Sequence, residues 1–383
     1  MKQEPVVFFP RINALRFMAA LAVIITHIEL IKGAFGHKDI WKNPVIFNLG
    51  GLGVYFFFVL SGFLITYLLL VEKENYTKIK IKDFYIRRLL RIWPLYYLVI
   101  SIGFFLLPYF PSIQIPYLKN VVENSFYQNL LLYMIMLPNL GYSIYSAFPH
   151  IGQAWSIGVE EQFYIIWPWI VAKSRSLLRT LVFIFFFLIA IKIIVLLLGN
   201  YYRTEAWYIH LKSFIAMTKF ESMAIGGIGA YFLQQKKEAI PGLVYHSLTF
   251  NVSILLIPIL IYVTPNFLQD GIHIVYSLIF LVIILNVAST KKLWLNLENK
   301  TLDFLGRISY GLYMYHLMLI PIVVVFLGKF KTDLSDLWFN VLLYLLTLGS
   351  TILIASLSYL YFESFFIRLK SKFSPVHSKV TKD

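Results

Sequence analysis

Two ionisable side chains, Arg16 and His27, stand in one apolar stretch near the N-terminus. Their eleven-residue offset is three helical turns plus about 20°, so both project from one helix face, about 16 Å apart along the axis. An arginine can hold phosphate or carboxylate groups, and a histidine can move a proton near neutral pH. Every residue between them except Thr26 is apolar, so we predict a functional site within a membrane span. The alternative is an interfacial arginine and a histidine satisfied by a neighbouring helix.

A second pair of cations lies in FYIRRLLRIWPLYY at 84–97, where Arg88 and Arg91 are one helical turn apart. Residues at i and i+3 share a helix face, so the two guanidinium groups could bind phosphate or carboxylate through forked hydrogen bonds. The alternative is an anchor at the inner interface, in which the arginines follow the positive-inside rule and Trp93 and Tyr96 belong to the aromatic belt.

Two adjacent acids, Glu160 and Glu161, stand in HIGQAWSIGVEEQFYIIWPWI at 150–170, at the mouth of an apolar helix. In a helix Glu160 and Tyr164 share a face, and Glu161 turns about 100° away, so one carboxylate could face a cavity while the other is structural. Glu160 could orient a histidine or take a proton from a hydroxyl itself. Trp155 and Tyr164 suit stacking against a sugar ring, and the alternative is an interfacial cap rich in aromatic residues.

Two further stretches carry single polar candidates. Ser61 lies in GGLGVYFFFVLSGFLIT at 50–66, where the glycines indicate helix–helix packing and no nucleophile-elbow pattern surrounds the serine. Tyr310 and His316 lie in LGRISYGLYMYHLMLI at 305–320. Taken alone, a histidine on an apolar helix is more often a satisfied core residue than a reactive one.

The composition indicates the class of protein. Of 383 residues, 59% are hydrophobic and 14% charged, and the mean hydropathy is +0.73, which predicts an all-α, polytopic integral membrane protein. The apolar runs are too long for barrel strands and lack their alternation. Cysteine is absent, which excludes disulfides, Cys-ligated zinc and a thiol nucleophile, and we expect no bound metal or cofactor.

The net charge of +15 is best explained by basic inner loops facing membrane lipids, and we expect no nucleic-acid partner. The first apolar run has no cleavage site after it, so it is predicted as an uncleaved helix. With both termini cytoplasmic and 127–142 re-entrant or peripheral, 24 of the 34 Lys and Arg residues fall in inner segments and nine in outer ones. The ten predicted spans lie near 12–32, 52–71, 93–109, 156–172, 180–198, 213–233, 248–264, 272–288, 309–328 and 337–362.

The chain divides simply. We predict one transmembrane domain over residues 1–370 and a short basic cytoplasmic tail over 371–383. The inner loop at 72–92 is strongly basic, and the outer segment at 110–155 is long, aromatic and nearly uncharged. No internal repeat is visible in the sequence.

Five stretches, taken together and in order, resemble membrane acyltransferase family 3, whose members modify carbohydrates and some other hydroxyl acceptors. The resemblance covers nearly the whole chain, although the family's Glu-x-Pro-Phe near the C-terminus is here Glu363-Ser364-Phe365-Phe366. The matching residues are Arg16 with His27 for the Arg–ten–His motif, the run GVYFFFVLSGFL, Arg88 with Arg91 for the R-x-x-R pair, WSIGVEEQFY from 155 and ISYGLYMYH from 308.

The resemblance implies a ten-helix fold, a cytoplasmic acyl-CoA donor and transfer to a hydroxyl, often on a cell-surface glycan. Some relatives carry a fused extracytoplasmic esterase-like domain. We expect a stand-alone form here, which acylates its acceptor directly or hands the acyl group to a separate extracytoplasmic partner. The family also suggests a bacterial origin and a multi-pass protein of the inner membrane.

The expected mechanism follows from the motifs and the resemblance together. Acyl-CoA, with acetyl as the default acyl group, places its phosphates on Arg88 and Arg91, and its pantetheine arm runs past Arg16. His27 acts as general base on the acceptor hydroxyl or carries the acyl group itself. The catalytic set is His27, Arg16 and Glu160, and the expected acceptor or pocket residues are Ser61, Trp155, Ser156, Glu161, Tyr164, Tyr310 and His316.

The acceptor is expected to be a glycan or glycolipid such as O-antigen or exopolysaccharide. The rival interpretation is a transporter or flippase for a glycoconjugate or a small polar substrate. It explains many spans and intramembrane charges, but many transporters are built from repeats, and it does not require an Arg and a His on one face.

Overall fold

The computed structural model describes residues 6–7, 9, 11–263, 271–289, 296–373 and 377–378, and most of them are helical. The exception is a short parallel pair of strands, β1 (Val6–Val7) with β2 (His377–Ser378). The helices are α1 (Ile12–Ala34), α2 (Pro44–Tyr76), α3 (Ile81–Phe105), α4 (Lys119–Met134), α5 (Pro138–Tyr145), α6 (Ala154–Lys173), α7 (Leu177–Tyr202), α8 (Ala206–Met217), α9 (Phe220–Gln235), α10 (Ser247–Val263), α11 (Ile272–Ser289), α12 (Lys300–Arg307), α13 (Ser309–Gly328), α14 (Asp336–Leu357) and α15 (Ser364–Ser371).

Short helical turns connect these elements. A π-helical turn, Ser358–Glu363, joins α14 to α15. The structure does not describe all of the predicted tail at 371–383, because residues 374–376 and 379–383 lie outside the described residues. The end of the predicted span 248–264 also lies outside them. Turns of 3₁₀ helix occur at Leu107–Tyr109, Pro111–Ile113, Pro116–Leu118, Lys237–Ala239 and Gly242–Tyr245.

The apolar segments are helical in every described part, as a membrane requires because only internal hydrogen bonds can satisfy the backbone there. By length and composition, seven helices among the described residues are long and apolar enough to cross a membrane, which makes the protein polytopic. The predicted span at 213–233 is two helices, because α8 ends at Met217 and α9 begins at Phe220. The break falls at the polar residues Thr218 and Lys219, between two apolar stretches that the prediction joined into one span.

The ambiguous stretch at 127–142 belongs to a helical hairpin formed by α4 and α5. The chain reverses at Leu137 after Met136, which has a positive φ of 61°. The tip packs against the middle of α3, since the hydroxyls of Tyr96 and Tyr97 donate to the carbonyls of Tyr133 and Met134, both at 2.9 Å. Tyr96 is nine residues before the end of α3, so the tip lies about 14 Å along α3 from that end. The hairpin therefore packs against α3, and its re-entrant position in a membrane stays a prediction.

Small residues set the crossing of the central helices. A methyl group on Gly62 of α2 would collide with the backbone of α9 at Met223, and one on Gly226 of α9 would collide with the backbone of α2 at Val59. A methyl on Gly53 would come within 2.5 Å of the carbonyl oxygen of Ala19 on α1. Such close approaches matter because lipid supplies no hydrophobic force between helices, which then associate through packing.

One group of ionisable side chains lies between α7, α9 and α11. The carboxylate oxygen Oε1 of Glu221 accepts from Lys192 Nζ and lies 2.6 Å from Nε2 of His273. Glu221 and His273 are buried, and Lys192 is largely buried. We call Lys192, Glu221 and His273 the Glu221 cluster. The contacts of Glu221 with Lys192 and His273 connect α9 to α7 and to α11.

Candidate functional site

A cavity of about 350 Å³ lies between α1, α2, α3, α6, α13 and α15. Along α2 its walls run from Leu68 to Val54, a height of about 21 Å at 1.5 Å per residue. Five basic residues and one acidic residue line it, so the cavity carries an excess of positive charge. The basic residues are Arg16, Arg88, Arg91, Arg307 and Lys370, and the acid is Glu160.

Three of these arginines come without an acidic partner. Among the described residues, neither Arg16 nor Arg88 nor Arg91 forms an ion pair, and Nε of Arg88 is buried with no hydrogen-bond partner. The Arg88 guanidinium stacks over the ring of Tyr164 at 5.8 Å from its centroid. Arg307, in contrast, pairs with Asp303. Unpaired guanidinium groups around a cavity suit an anionic ligand, because buried charges are otherwise paired.

The two adjacent acids face different surroundings. The Tyr164 hydroxyl donates to Oε2 of Glu160 at 2.7 Å and contacts the Ser61 hydroxyl, and all three residues line the cavity. Glu161 is buried and accepts from Nε1 of Trp93 at 2.8 Å, away from the cavity wall. Glu160 therefore presents a hydrogen-bonded chain to a ligand, whereas Glu161 fixes α6 to α3.

Tyr313 of α13 lines the end of the cavity that is nearest to His27. Its hydroxyl lies 2.7 Å from the Ser156 hydroxyl and 3.1 Å from the carbonyl oxygen of Gln153. Phe57 packs against the Tyr313 ring with centroids 6.1 Å apart. These contacts fix the position of the Tyr313 side chain in the cavity wall.

His27 lies outside the cavity wall. Gly50 of α2 stands against Thr26 and is four residues from Val54, so His27 lies about 6 Å beyond the end of the cavity. Its Nδ1 is 3.0 Å from the carbonyl oxygen of Val23 and 3.1 Å from Nε2 of His316. The structure thus places Arg16 in the cavity wall and His27 one turn above it, paired with a second imidazole.

The twelve side chains proposed from the sequence divide into two groups. The eight in the cavity wall include Tyr310, whose hydroxyl donates to the carbonyl of Ile92 at 2.9 Å. Trp155 packs behind Phe58 with ring centroids 6.0 Å apart. The wall residues are Arg16, Ser61, Arg88, Arg91, Ser156, Glu160, Tyr164 and Tyr310. The residues outside the wall are His27, Trp155, Glu161 and His316.

Lys370 and Tyr313 are among the cavity residues that were not predicted as part of the site. Lys370 lies on α15 in the C-terminal basic stretch, where nothing in its spacing separates it from Arg368 or Lys372. Tyr313 lies between the motif residues Tyr310 and His316, one turn from each, and that spacing is the signal that could have identified it. The cavity can bind a polyanion at its basic end, which is lined by Arg88, Arg91 and Lys370. The imidazole pair beyond Tyr313 can exchange a proton.

The comparisons with known proteins agree with this geometry. Residues 9–360 match the family model described as an acyltransferase domain, Acyl_transf_3. A Staphylococcus aureus (strain COL) protein named "Putative O-acetyltransferase SACOL0978" is 29% identical over 95% of this chain and 58% of its own length. The O-acetyltransferase OatA of Staphylococcus aureus (strain NCTC 8325 / PS 47) is 25% identical over 93% of this chain and 57% of its own. The chain thus spans somewhat over half the length of these relatives. No solved structure matches it.

Proposed function

The chain belongs to this acyltransferase family, and from that premise we propose that it is a membrane O-acyltransferase using cytoplasmic acyl-CoA. The acyl group is short, acetyl by default, and the acceptor is a hydroxyl of a cell-surface glycan or glycolipid. The observation that carries the proposal is the cavity with five basic residues and one acid, one helical turn from a paired imidazole. Coenzyme A is a polyanion with a long neutral arm ending in the thioester, and this arrangement suits both parts.

Donor binding begins at the basic end of the cavity. The phosphates of acyl-CoA lie against Arg88, Arg91 and Lys370, where charge-assisted hydrogen bonds replace water. The pantetheine arm runs along the first helix past Arg16 toward His27, a distance of about 16 Å. The hydroxyls of Ser61 and Tyr164 line that path and suit hydrogen bonding to the amides of the arm.

The chemical step takes place beyond Tyr313. Nε2 of His27 removes the proton from the acceptor hydroxyl, and the acceptor oxygen forms a bond to the thioester carbonyl carbon. The carbon–sulfur bond then breaks, and the coenzyme A thiolate leaves and takes the proton back from His27. In a second route the acyl group rests on His27 before it reaches the acceptor, with coenzyme A leaving first. Both routes require a neutral imidazole.

The acceptor reaches His27 from the outer face of the bacterial inner membrane. We propose ten spans with both termini in the cytoplasm, which puts the basic end of the cavity inside and the α4–α5 hairpin outside. O-antigen and exopolysaccharide units are the acceptor classes that fit this orientation. Transfer to a separate extracytoplasmic partner, which then carries the acyl group onward, is the second candidate route.

The first experiment uses purified protein in nanodiscs with radiolabelled acetyl-CoA, with and without candidate glycans, comparing wild type with His27→Ala. We expect transfer in wild type and a loss of about 10²- to 10⁴-fold in the variant, the range for removing a general base. Label retained on the wild-type protein would support the acyl-enzyme route. Equal turnover in both proteins would contradict the role of His27. In a parallel assay with the protein in sealed vesicles, glycan transport without thioester loss would favour a transporter.

A pH profile adds a second check on the same step. Transfer should decline as the pH falls through the titration of histidine, because imidazolium cannot accept another proton. The rate is measured from pH 5 to 8 with acetyl-CoA saturating. A rate that rises as the pH falls would contradict His27 as the base.

The orientation has its own test because the chain contains no cysteine. Ser112→Cys lies in the outer segment and Ser176→Cys before α7, and both positions are exposed. In intact cells a membrane-impermeant maleimide should label the first variant and spare the second until the cells are lysed. The reverse pattern would overturn the cytoplasmic assignment of the termini.

A further inference from the structure

His316 lies directly behind His27 and is completely buried. Its Nδ1 is 2.6 Å from the carbonyl oxygen of Tyr313, and its Nε2 is 3.1 Å from Nδ1 of His27. The two rings are 5.0 Å apart at their centroids. The contact joins α1 to α13 at the one point where two imidazoles meet among the described residues.

The hydrogen-bond partners determine which nitrogen of each ring carries the proton. A carbonyl oxygen only accepts, so Nδ1 of His316 must donate to Tyr313, which leaves Nε2 of a neutral His316 as an acceptor. Nδ1 of His27 faces that acceptor and the Val23 carbonyl, so it must carry the proton. Nε2 of His27 is then unprotonated, and among the described residues it has no hydrogen-bond partner.

We propose that His316 is a positioning residue for the transfer reaction, which holds His27 in the tautomer with Nε2 free to accept a proton. This inference rests on the proposed function. His316 also accepts from His27 after His27 becomes an imidazolium, so it stabilises the charge formed in that step without binding substrate. In a hydrolase triad, a carboxylate accepts the hydrogen bond from the catalytic histidine. Here the neutral ring of His316 accepts that hydrogen bond.

The location of the pair supports this role. His316 is one helical turn from Tyr313, and their rings contact at 5.7 Å, so a residue of the cavity wall also fixes the ring behind His27. A buried carboxylate would cost more in this apolar part of the membrane, and a neutral acceptor avoids that desolvation. The same packing holds the His27 ring in one orientation at the outer end of the cavity.

The test separates hydrogen bonding from packing by comparing three variants in nanodiscs. His316→Gln keeps an acceptor oxygen within reach of Nδ1 of His27, whereas His316→Leu keeps the bulk and removes the acceptor. Met318→Leu is the matched control on the same helix, since Met318 is buried and makes no hydrogen bond among the described residues. If the leucine variant at 316 does not fold, His316→Met takes its place.

Two readouts are used. In ¹⁵N-histidine NMR, with the His27 signal assigned by its loss in His27→Gln, wild type should show Nδ1 protonated and Nε2 bare. His316→Leu should shift His27 toward the opposite tautomer, and His316→Gln should preserve it. In the transfer assay, kcat should fall about tenfold or more in His316→Leu, the effect of one lost hydrogen bond, with KM for acetyl-CoA unchanged. His316→Gln should recover most of that loss, and Met318→Leu should match wild type.

Three outcomes would contradict the proposals. An unchanged His27 tautomer in His316→Leu, or equal loss of kcat in the glutamine and leucine variants, would show that His316 acts only through packing. Absence of any transfer in wild type with every acceptor tried would contradict the proposed function, and the NMR comparison would still decide whether His316 positions His27.

Discussion

Two groups of ionisable side chains lie within this helical bundle, and they differ in how their charges are balanced. In the Glu221 cluster, the carboxylate of Glu221 meets Lys192 and His273 directly. In the cavity, Arg16, Arg88 and Arg91 have no ion pair among the described residues. Both groups bear the cost of leaving water, but among the described residues only the first is compensated by a direct ion pair.

This difference distinguishes charges that stabilise the fold from charges that are available to a ligand. A buried ion pair can join helices and requires nothing further. Unpaired cations around a cavity are stable only in contact with water or with a ligand that carries the missing charge, which is why they indicate a binding site. We therefore expect substitutions in the Glu221 cluster to change stability and substitutions in the cavity to change catalysis.

The largest effect is expected from Glu221→Gln. The substitution leaves Lys192 without its counter-charge between α7 and α9, and breaking a buried ion pair costs about 3 kcal/mol or more. Thermal unfolding in nanodiscs, followed by intrinsic tryptophan fluorescence, should show a clearly lowered midpoint. The protein that remains folded should keep the kcat and KM of wild type. A changed KM with an unchanged midpoint would place this cluster in the functional group.

Substitution of the cavity arginines should have the opposite pattern. Arg88→Gln or Arg91→Gln removes a charge-assisted contact to phosphate worth about 1.5–3 kcal/mol, so KM for acetyl-CoA should rise roughly 10- to 150-fold with little change in the unfolding midpoint. The adjacent Arg87 is the control, because it already pairs with Glu72 at 3.0 Å and donates to the carbonyl of Phe373. If Arg87→Gln raised KM equally, the distinction between paired and unpaired arginines would fail.

Glu160 and Glu161 test the same difference between cavity and structural side chains at two adjacent positions. Glu160→Gln removes the charge at the cavity wall and weakens its bond from Tyr164, so kcat/KM should fall by about 5- to 30-fold, equivalent to about 1–2 kcal/mol. Glu161→Gln keeps an acceptor for Trp93 and should change kcat/KM less than about twofold. The measurement is steady-state transfer from acetyl-CoA. An equal loss in both variants would mean that Glu161 also acts on the substrate.

The smallest effect is expected when the ion pair is removed as a unit. Lys192→Met combined with Glu221→Gln leaves no unpaired charge, so its stability should return to within about 1 kcal/mol of wild type. The two single variants and the double variant form a double-mutant cycle read by the unfolding midpoint. Additive losses would show that the two side chains do not stabilise the bundle through each other.

The amino-acid sequence by itself determined the local features of this protein. Helical periodicity places Arg16 and His27 on one face and sends Glu160 and Glu161 in different directions, and both follow from 3.6 residues per turn. Family membership also follows from the motifs and is supported by the match over residues 9–360. Charge asymmetry between the loops predicted that 127–142 is re-entrant or peripheral; the structure forms a helical hairpin there, and its place relative to a membrane stays a prediction.

Only the tertiary structure decided which side chains meet. His316 reaches His27 across 289 positions of sequence, and Lys370 reaches the cavity from the last described helix. Hydropathy identifies the segments that enter the membrane. It does not identify which helices pack together, because every apolar helix face is equally stable in contact with lipid. The neighbours are selected by close backbone contacts such as those of Gly62 and Gly226, and those contacts depend on pairs of helices that no local pattern relates.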